Sequence, residues 1–99
     1  MERGGWVYMM TNQQNRVLYT GVTANLIARI HDHRTQRYSK SFTARYRLYR
    51  LVYYEGFSRI EEAIAREKQI KAGSRRAKEQ LINGMNPQWR DLWEDIQQW

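Results

Sequence analysis

The chain has no cysteine. That removes disulfides, cysteine-ligated zinc and a cysteine nucleophile together, and it fits a reducing compartment. No apolar stretch approaches the roughly 20 residues that span a bilayer, and the N-terminal residues hold no signal-peptide core. These absences point to a cytoplasmic protein with no membrane partner. Internal repeats, low-complexity tracts and linkers are missing too, so residues 1–99 read as one domain. Acidic residues are scarce: ten Asp plus Glu against seventeen Lys plus Arg give a net charge of +7. Such an excess on a small domain favours a polyanionic partner, nucleic acid above all.

The positive charge is clustered. Seven of the basic residues fall in 29–50, with Asp32 the one acid among them. Five more fall in 68–78 with no acid, while the tail carries Asp91, Glu94 and Asp95. One face is therefore expected to be strongly positive and another not.

Residues 6–10 and 17–22 are β-rich runs around a polar connector, the pattern of a hairpin. Thr23 or Asn25 can cap a helix that begins near Leu26 and fades near Thr35 or Gln36. The basic, hydroxyl-rich stretch 38–48 reads as a loop with a helical turn around 42–46. Residues 51–55 form a third strand, ended by Gly56. Ser58 and Glu61 read as a capping box for a helix running to Ala72, with Gly73 as its stop. Residues 75–83 form another helix closed by Gly84. After Pro87 a last helix places Trp89, Leu92, Trp93 and Ile96 on one side. This order predicts a small α/β sandwich, a three-stranded antiparallel sheet flanked by helices.

Polar residues interrupt the apolar stripes of two of these helices. At about 100° per residue, Glu67 falls within about 20° of Ile60, between Ile64 and Ile70. An ionised carboxylate there is costly unless paired, hydrogen-bonded or metal-bound. A helix-edge salt bridge with Lys71 is the ordinary alternative. In the first helix Arg29 and His33, four residues apart, flank the stripe of Leu26 and Ile30. On the hairpin, Tyr8 shares a sheet face with Trp6 and Met10. Tyr19 shares one with Val17 and Gly21, and the missing side chain of Gly21 is expected to leave an opening beside its ring.

Trp6-Val7-Tyr8 and Tyr19-Thr20-Gly21 resemble the paired triplets that name the GIY-YIG nuclease superfamily. Residues 25–33 are similar to its helix bearing an Arg and, one turn later, a His. Residues 62–71 resemble the segment with its metal-binding Glu, and 86–92 the tail of its small stand-alone bacterial members. The resemblance spans about 6–92. The first triplet departs from Gly-Ile-Tyr, yet both tyrosines and the second glycine keep their places. The late Asn of the family is matched by Asn86, with Asn83 as the rival.

The resemblance implies a GIY-YIG-type endonuclease hydrolysing phosphodiester bonds, DNA first, in DNA repair or recombination. Glu67 would bind one divalent ion, Mg²⁺ or Mn²⁺. Arg29 would clamp a phosphate oxygen. Tyr8 would act as base, Tyr19 as its orienting partner, and His33 would take the phenol's proton. His31 would face solvent. Arg34, Arg37, Lys40, Arg45 and Arg47 would grip the phosphate backbone, with Lys68 and Lys71 extending the positive surface. Larger relatives attach a separate DNA-binding domain; these residues hold none, which leaves room for a partner protein that supplies specificity. The alternatives are a non-catalytic nucleic-acid-binding module on the same fold and a protein-interaction domain using the C-terminal tryptophans. The nuclease reading requires Tyr8, Tyr19, Arg29, His33 and Glu67 to meet in one hollow.

Overall fold

The computed structural model describes residues 3–38 and 40–99. Strands β1 (Gly5–Thr11), β2 (Leu18–Thr23) and β3 (Arg50–Phe57) form one antiparallel sheet in the order β2-β1-β3. The hairpin between β1 and β2 is held by Asn12, whose Oδ1 accepts from the amides of Arg16 at 2.8 Å and Val17 at 3.3 Å. Asn15 takes the left-handed conformation that the turn needs, one that asparagine tolerates well.

Alternation along β1 divides the core in two. Trp6, Tyr8 and Met10 pack with Leu26 and Ile30 of α1 (Leu26–Arg34), with Leu48, and with Leu92 and Ile96 at α5 (Trp93–Gln97). Val7 and Met9 pack with Ala63 and Ile70 of α3 (Ile60–Ala72) and Ile82 of α4 (Arg75–Met85). A single turn, α2 (Phe42–Arg45), follows α1. The three-layer α/β architecture is the expected one. No helix among the described residues is long and apolar enough to cross a membrane.

Several boundaries differ from expectation, each for a local reason. Asn25, not Thr23, caps α1, its side chain accepting from the Ala28 amide at 3.1 Å. The α3 cap lies one residue later than the hydroxyl pattern suggests: Arg59 is extended and its amide donates to the Glu62 carboxylate at 3.1 Å. Gly84 lies inside α4, which ends at Asn86 because that side chain can clamp the returning backbone. Trp89 does not share a face with Leu92, Trp93 and Ile96. Its backbone is left-handed, and its ring packs on the α3/α4 side, donating to Asn83 Oδ1 at 2.7 Å.

Asp91 ties the tail to the sheet. One carboxylate oxygen accepts from the Leu51 amide at 3.2 Å and the Trp93 amide at 3.0 Å; the other meets Arg34 at 2.7 Å.

A candidate active site at the open edge of the sheet

Tyr8 and Gly21 are directly opposed across β1 and β2. A methyl group on Gly21 would come within 2.5 Å of the Tyr8 hydroxyl and 2.8 Å of the Tyr19 ring. The space left by the missing side chain is therefore filled by Tyr8, and it is not an opening for a ligand. Gly21 lets the Tyr8 ring cross β2 toward the sheet edge, where its centroid lies 6.2 Å from that of Tyr19.

His33, the last inward residue of α1, meets the end of that ring. Its Nε2 is 2.8 Å from the Tyr8 hydroxyl, and its Nδ1 is 2.7 Å from Thr43 Oγ1. Thr43 in turn approaches Ser41 Oγ at 3.2 Å. Tyr8, His33 and Thr43 are all buried, yet every buried side-chain polar atom among the described residues has a partner. The heavy atoms allow the hydrogen bonds to run in either direction along the chain from Tyr8 to Ser41.

Electrostatics keep the group neutral apart from Arg29. Burial and the nearby Arg29 cation lower the His33 pKa from 6.5 to about 4, so the imidazole is uncharged at neutral pH. Burial holds the Tyr8 phenol well above its usual range; Tyr19 adds to this and Arg29 partly offsets it. Burial opposes the charge on Arg29, but attraction to Tyr8 and Tyr19 outweighs it and the pKa is raised. The guanidinium is close enough to couple to both phenols without closing a hydrogen bond of standard geometry to either. It also lies 5.7 Å over the Tyr38 ring.

Tyr8 is 1% exposed, whereas Tyr19 is half-buried. Tyr19 lines a recess of about 320 Å³ with Leu18, Thr20, Phe42, Lys71 and Lys78. The phenol that meets solvent is thus Tyr19, while the Tyr8 hydroxyl is buried against His33. A larger groove, lined by Trp6, Asn25 and Trp99 among others, holds none of the expected site residues.

Folding therefore brings together Tyr8, Tyr19, Arg29 and His33. Glu67 lies in the opposite layer, on α3, which packs across β1 and β2, and does not join them. Its side chain is 14% exposed and pairs with Lys71 at 3.2 Å. No hydrogen bond joins it to the other four among the described residues, and Lys71, one turn along, carries the link to the recess. Thr43 escaped the sequence reading, since nothing in the order of residues couples a loop hydroxyl to a histidine ten positions earlier.

Two other expectations change. Arg34 donates through Nη1 to Asp91 and to the Tyr49 carbonyl at 3.0 Å, so it braces the tail. Asn86 is buried, donates to the carbonyls of Val52 at 3.2 Å and Arg90 at 2.8 Å, and accepts from the Arg90 amide at 3.0 Å. It clamps backbone, and its rival Asn83 serves Trp89. Arg37, Lys40, Arg45, Arg47, Lys68 and Lys71 are exposed, as is His31. Arg37 also pairs with Asp32 at 3.6 Å.

A sequence model of the GIY-YIG catalytic domain matches residues 4–81. A UPF0213 protein of Staphylococcus haemolyticus is 42% identical over 77 residues, covering 78% of this chain and 92% of that protein. One from Syntrophus aciditrophicus is 35% identical over 83 residues, covering 84% and 93%. The solution NMR structure of a UPF0213 protein from Bacillus halodurans has 30% identity and a TM-score of 0.56, covering 88% of this chain and 90% of that one. With a first-triplet tyrosine laid over a second-triplet glycine, and matches over most of its length, the chain belongs to the GIY-YIG family.

Proposed function

We propose that this protein is a metal-dependent endonuclease that hydrolyses phosphodiester bonds of nucleic acid, DNA first. The observation that carries the reading is the convergence of two phenols, one guanidinium and one neutral imidazole beside a cationic recess. Packing alone gives no reason to bury a Tyr–His–Thr chain where apolar side chains would do.

Arg29 holds a phosphate oxygen with its fork of donors and offsets charge as the phosphorus becomes five-coordinate. Tyr19, the phenol facing the recess, orients the attacking water. The proton leaving that water enters the phenol pair; Tyr8 receives it at its hydroxyl as its own proton moves to His33 Nε2. A phosphate bound next to Arg29 offsets the cation that depresses His33, and so makes the imidazole a better acceptor. Thr43 keeps Nδ1 in register. Arg37, Lys40, Arg45, Arg47, Lys68 and Lys71 contact backbone phosphates without reading sequence.

One carboxylate, Glu67, is the candidate ligand for a hard cation. Magnesium sites use one or two carboxylates with waters and substrate phosphate, and Glu67 is such a carboxylate. No group of three or more His, Cys, Asp or Glu among the described residues offers a protein-only cage. A Mg²⁺ or Mn²⁺ ion would supply charge neutralisation at the scissile phosphate and the leaving oxygen. Lys71 neutralises Glu67 until then.

The test is cleavage of labelled duplex, branched and single-stranded DNA with Mg²⁺, Mn²⁺ or chelator. Cutting is expected only with metal, and Glu67→Ala is expected to abolish it while salt-sensitive binding persists. Metal-independent binding with no cutting of any substrate would make the protein a non-catalytic nucleic-acid-binding module instead.

A further inference from the structure

We infer that the exposed rings beside the reaction centre form a stacking platform for unpaired bases, so that the protein acts on single-stranded nucleic acid. The inference rests on the proposed nuclease site only for where the cut falls. Phe42 is 47% exposed and Tyr46 41%, although both are large rings in a domain with two well-packed cores. They lie one helical turn apart at the two ends of α2, with centroids 4.6 Å apart. Phe42 also stacks on Tyr19 at 6.0 Å with planes 30° apart, so the row of rings starts at the phenol that faces the recess. Tyr38, 53% exposed, lies under the Arg29 and Arg37 guanidiniums at 5.7 and 5.8 Å.

Cations surround these rings on the recess side, Lys71 among them paired with Glu67. Arg45 lies 5.6 Å over Tyr46, and Lys71 and Lys78 line the recess with Tyr19 and Phe42. No acidic residue among the described residues lines that recess. Cations that follow a backbone, interleaved with open aromatic faces, are what single strands require. A duplex offers no base faces along its length, because each base is already covered by its neighbours. Reading a duplex from its major groove takes a helix or a two-stranded ribbon inserted there, and α2 is four residues long. Phe42 and Thr43 are adjacent on that turn, so the ring that would take a base is next to the hydroxyl that holds His33.

The experiment is fluorescence anisotropy without divalent metal, which separates binding from cutting. The probes are a 20-nucleotide oligothymidylate, its oligouridylate counterpart, an abasic strand of equal length and a hairpin duplex. Stacking is worth about 1–3 kcal/mol per base, so the base-bearing strands should bind at least about tenfold more tightly than the abasic strand and the duplex. The Phe42→Leu/Tyr46→Leu double variant keeps apolar packing and should fall to the abasic level, with its affinity for the abasic strand unchanged. The two base-bearing probes distinguish DNA from RNA. Equal affinity for abasic and base-bearing strands, tighter binding to duplex, or a double variant that binds like the parent would each overturn the inference. Single-strand preference without metal-dependent cutting would leave it standing and remove the nuclease reading instead.

Discussion

The two faces of the sheet are built on different principles. On the α3/α4 side, Val7, Met9, Val52, Ala63 and Ile82 are fully buried and wholly apolar. There, stability follows from surface removed from water, about 25 cal/mol per Å². On the α1/α5 side an equally dry core, with Met10, Ile30, Leu51 and Ile96, is interrupted by the chain from Tyr8 through His33 to Thr43. Every polar atom in that chain is partnered, but burying it gains less than apolar packing would. One face is stabilised by apolar burial alone, and the other carries a buried polar chain against the sheet at some expense of stability.

Substitutions can break this contrast in order of size. Ile82→Ala empties space in the apolar face and should destabilise by about 2–5 kcal/mol in urea unfolding. Nucleic-acid binding by the folded fraction should be unchanged. A loss of binding at full folding would mean that the faces are not separable.

Acid should attack the other face. His33 titrates at about 4 when folded and near 6.5 when unfolded, so between those values the unfolded chain holds more protons. Stability from this residue is fully present above about pH 6.5 and falls as pH drops toward 4, by up to about 3 kcal/mol. Denaturant midpoints taken across that window should show the slope. His33→Gln should flatten it, and a variant with the parent's slope would remove His33 as its source.

A smaller effect sharpens the role of Thr43. Thr43→Val leaves the buried Nδ1 without a partner and should cost about 1–3 kcal/mol. Thr43→Ser should restore both stability and the His33 titration seen by NMR. Restored stability without the titration would make the hydroxyl a packing feature only.

The least effect is a gain. Gly84 lies inside α4, and a methyl on it meets no atom within 4 Å. Gly84→Ala should raise stability by about 0.5–1 kcal/mol, measured in the same urea assay. A decrease would show that α4 needs its glycine for a contact with another molecule.

Local rules made much of the fold legible. The alternation 6–10, the connector 11–16 and the stripe of Leu26 and Ile30 each act within a few residues, and the sheet and first helix follow. The inward polar residues were legible for the same reason, since a wheel position needs no partner to be seen. What escaped depends on pairs distant in sequence. Asp91 accepts from Arg34 across 57 residues, a brace that no local pattern announces. Asn86, matched in sequence to the family's late Asn, has its amide engaged by carbonyls from β3 and the tail. Trp89 looked helical beside Trp93 until its left-handed backbone sent it to the other layer.

The contact between Tyr8 and Gly21 has a consequence for anyone who would re-engineer this domain. The two triplets are halves of one lock, since the ring supplied by the first occupies the volume denied to the second. Randomising position 21 alone will yield almost nothing that retains the site. A side chain at position 21 can be accommodated only by a smaller residue at position 8, which restores the packing and gives up the phenol.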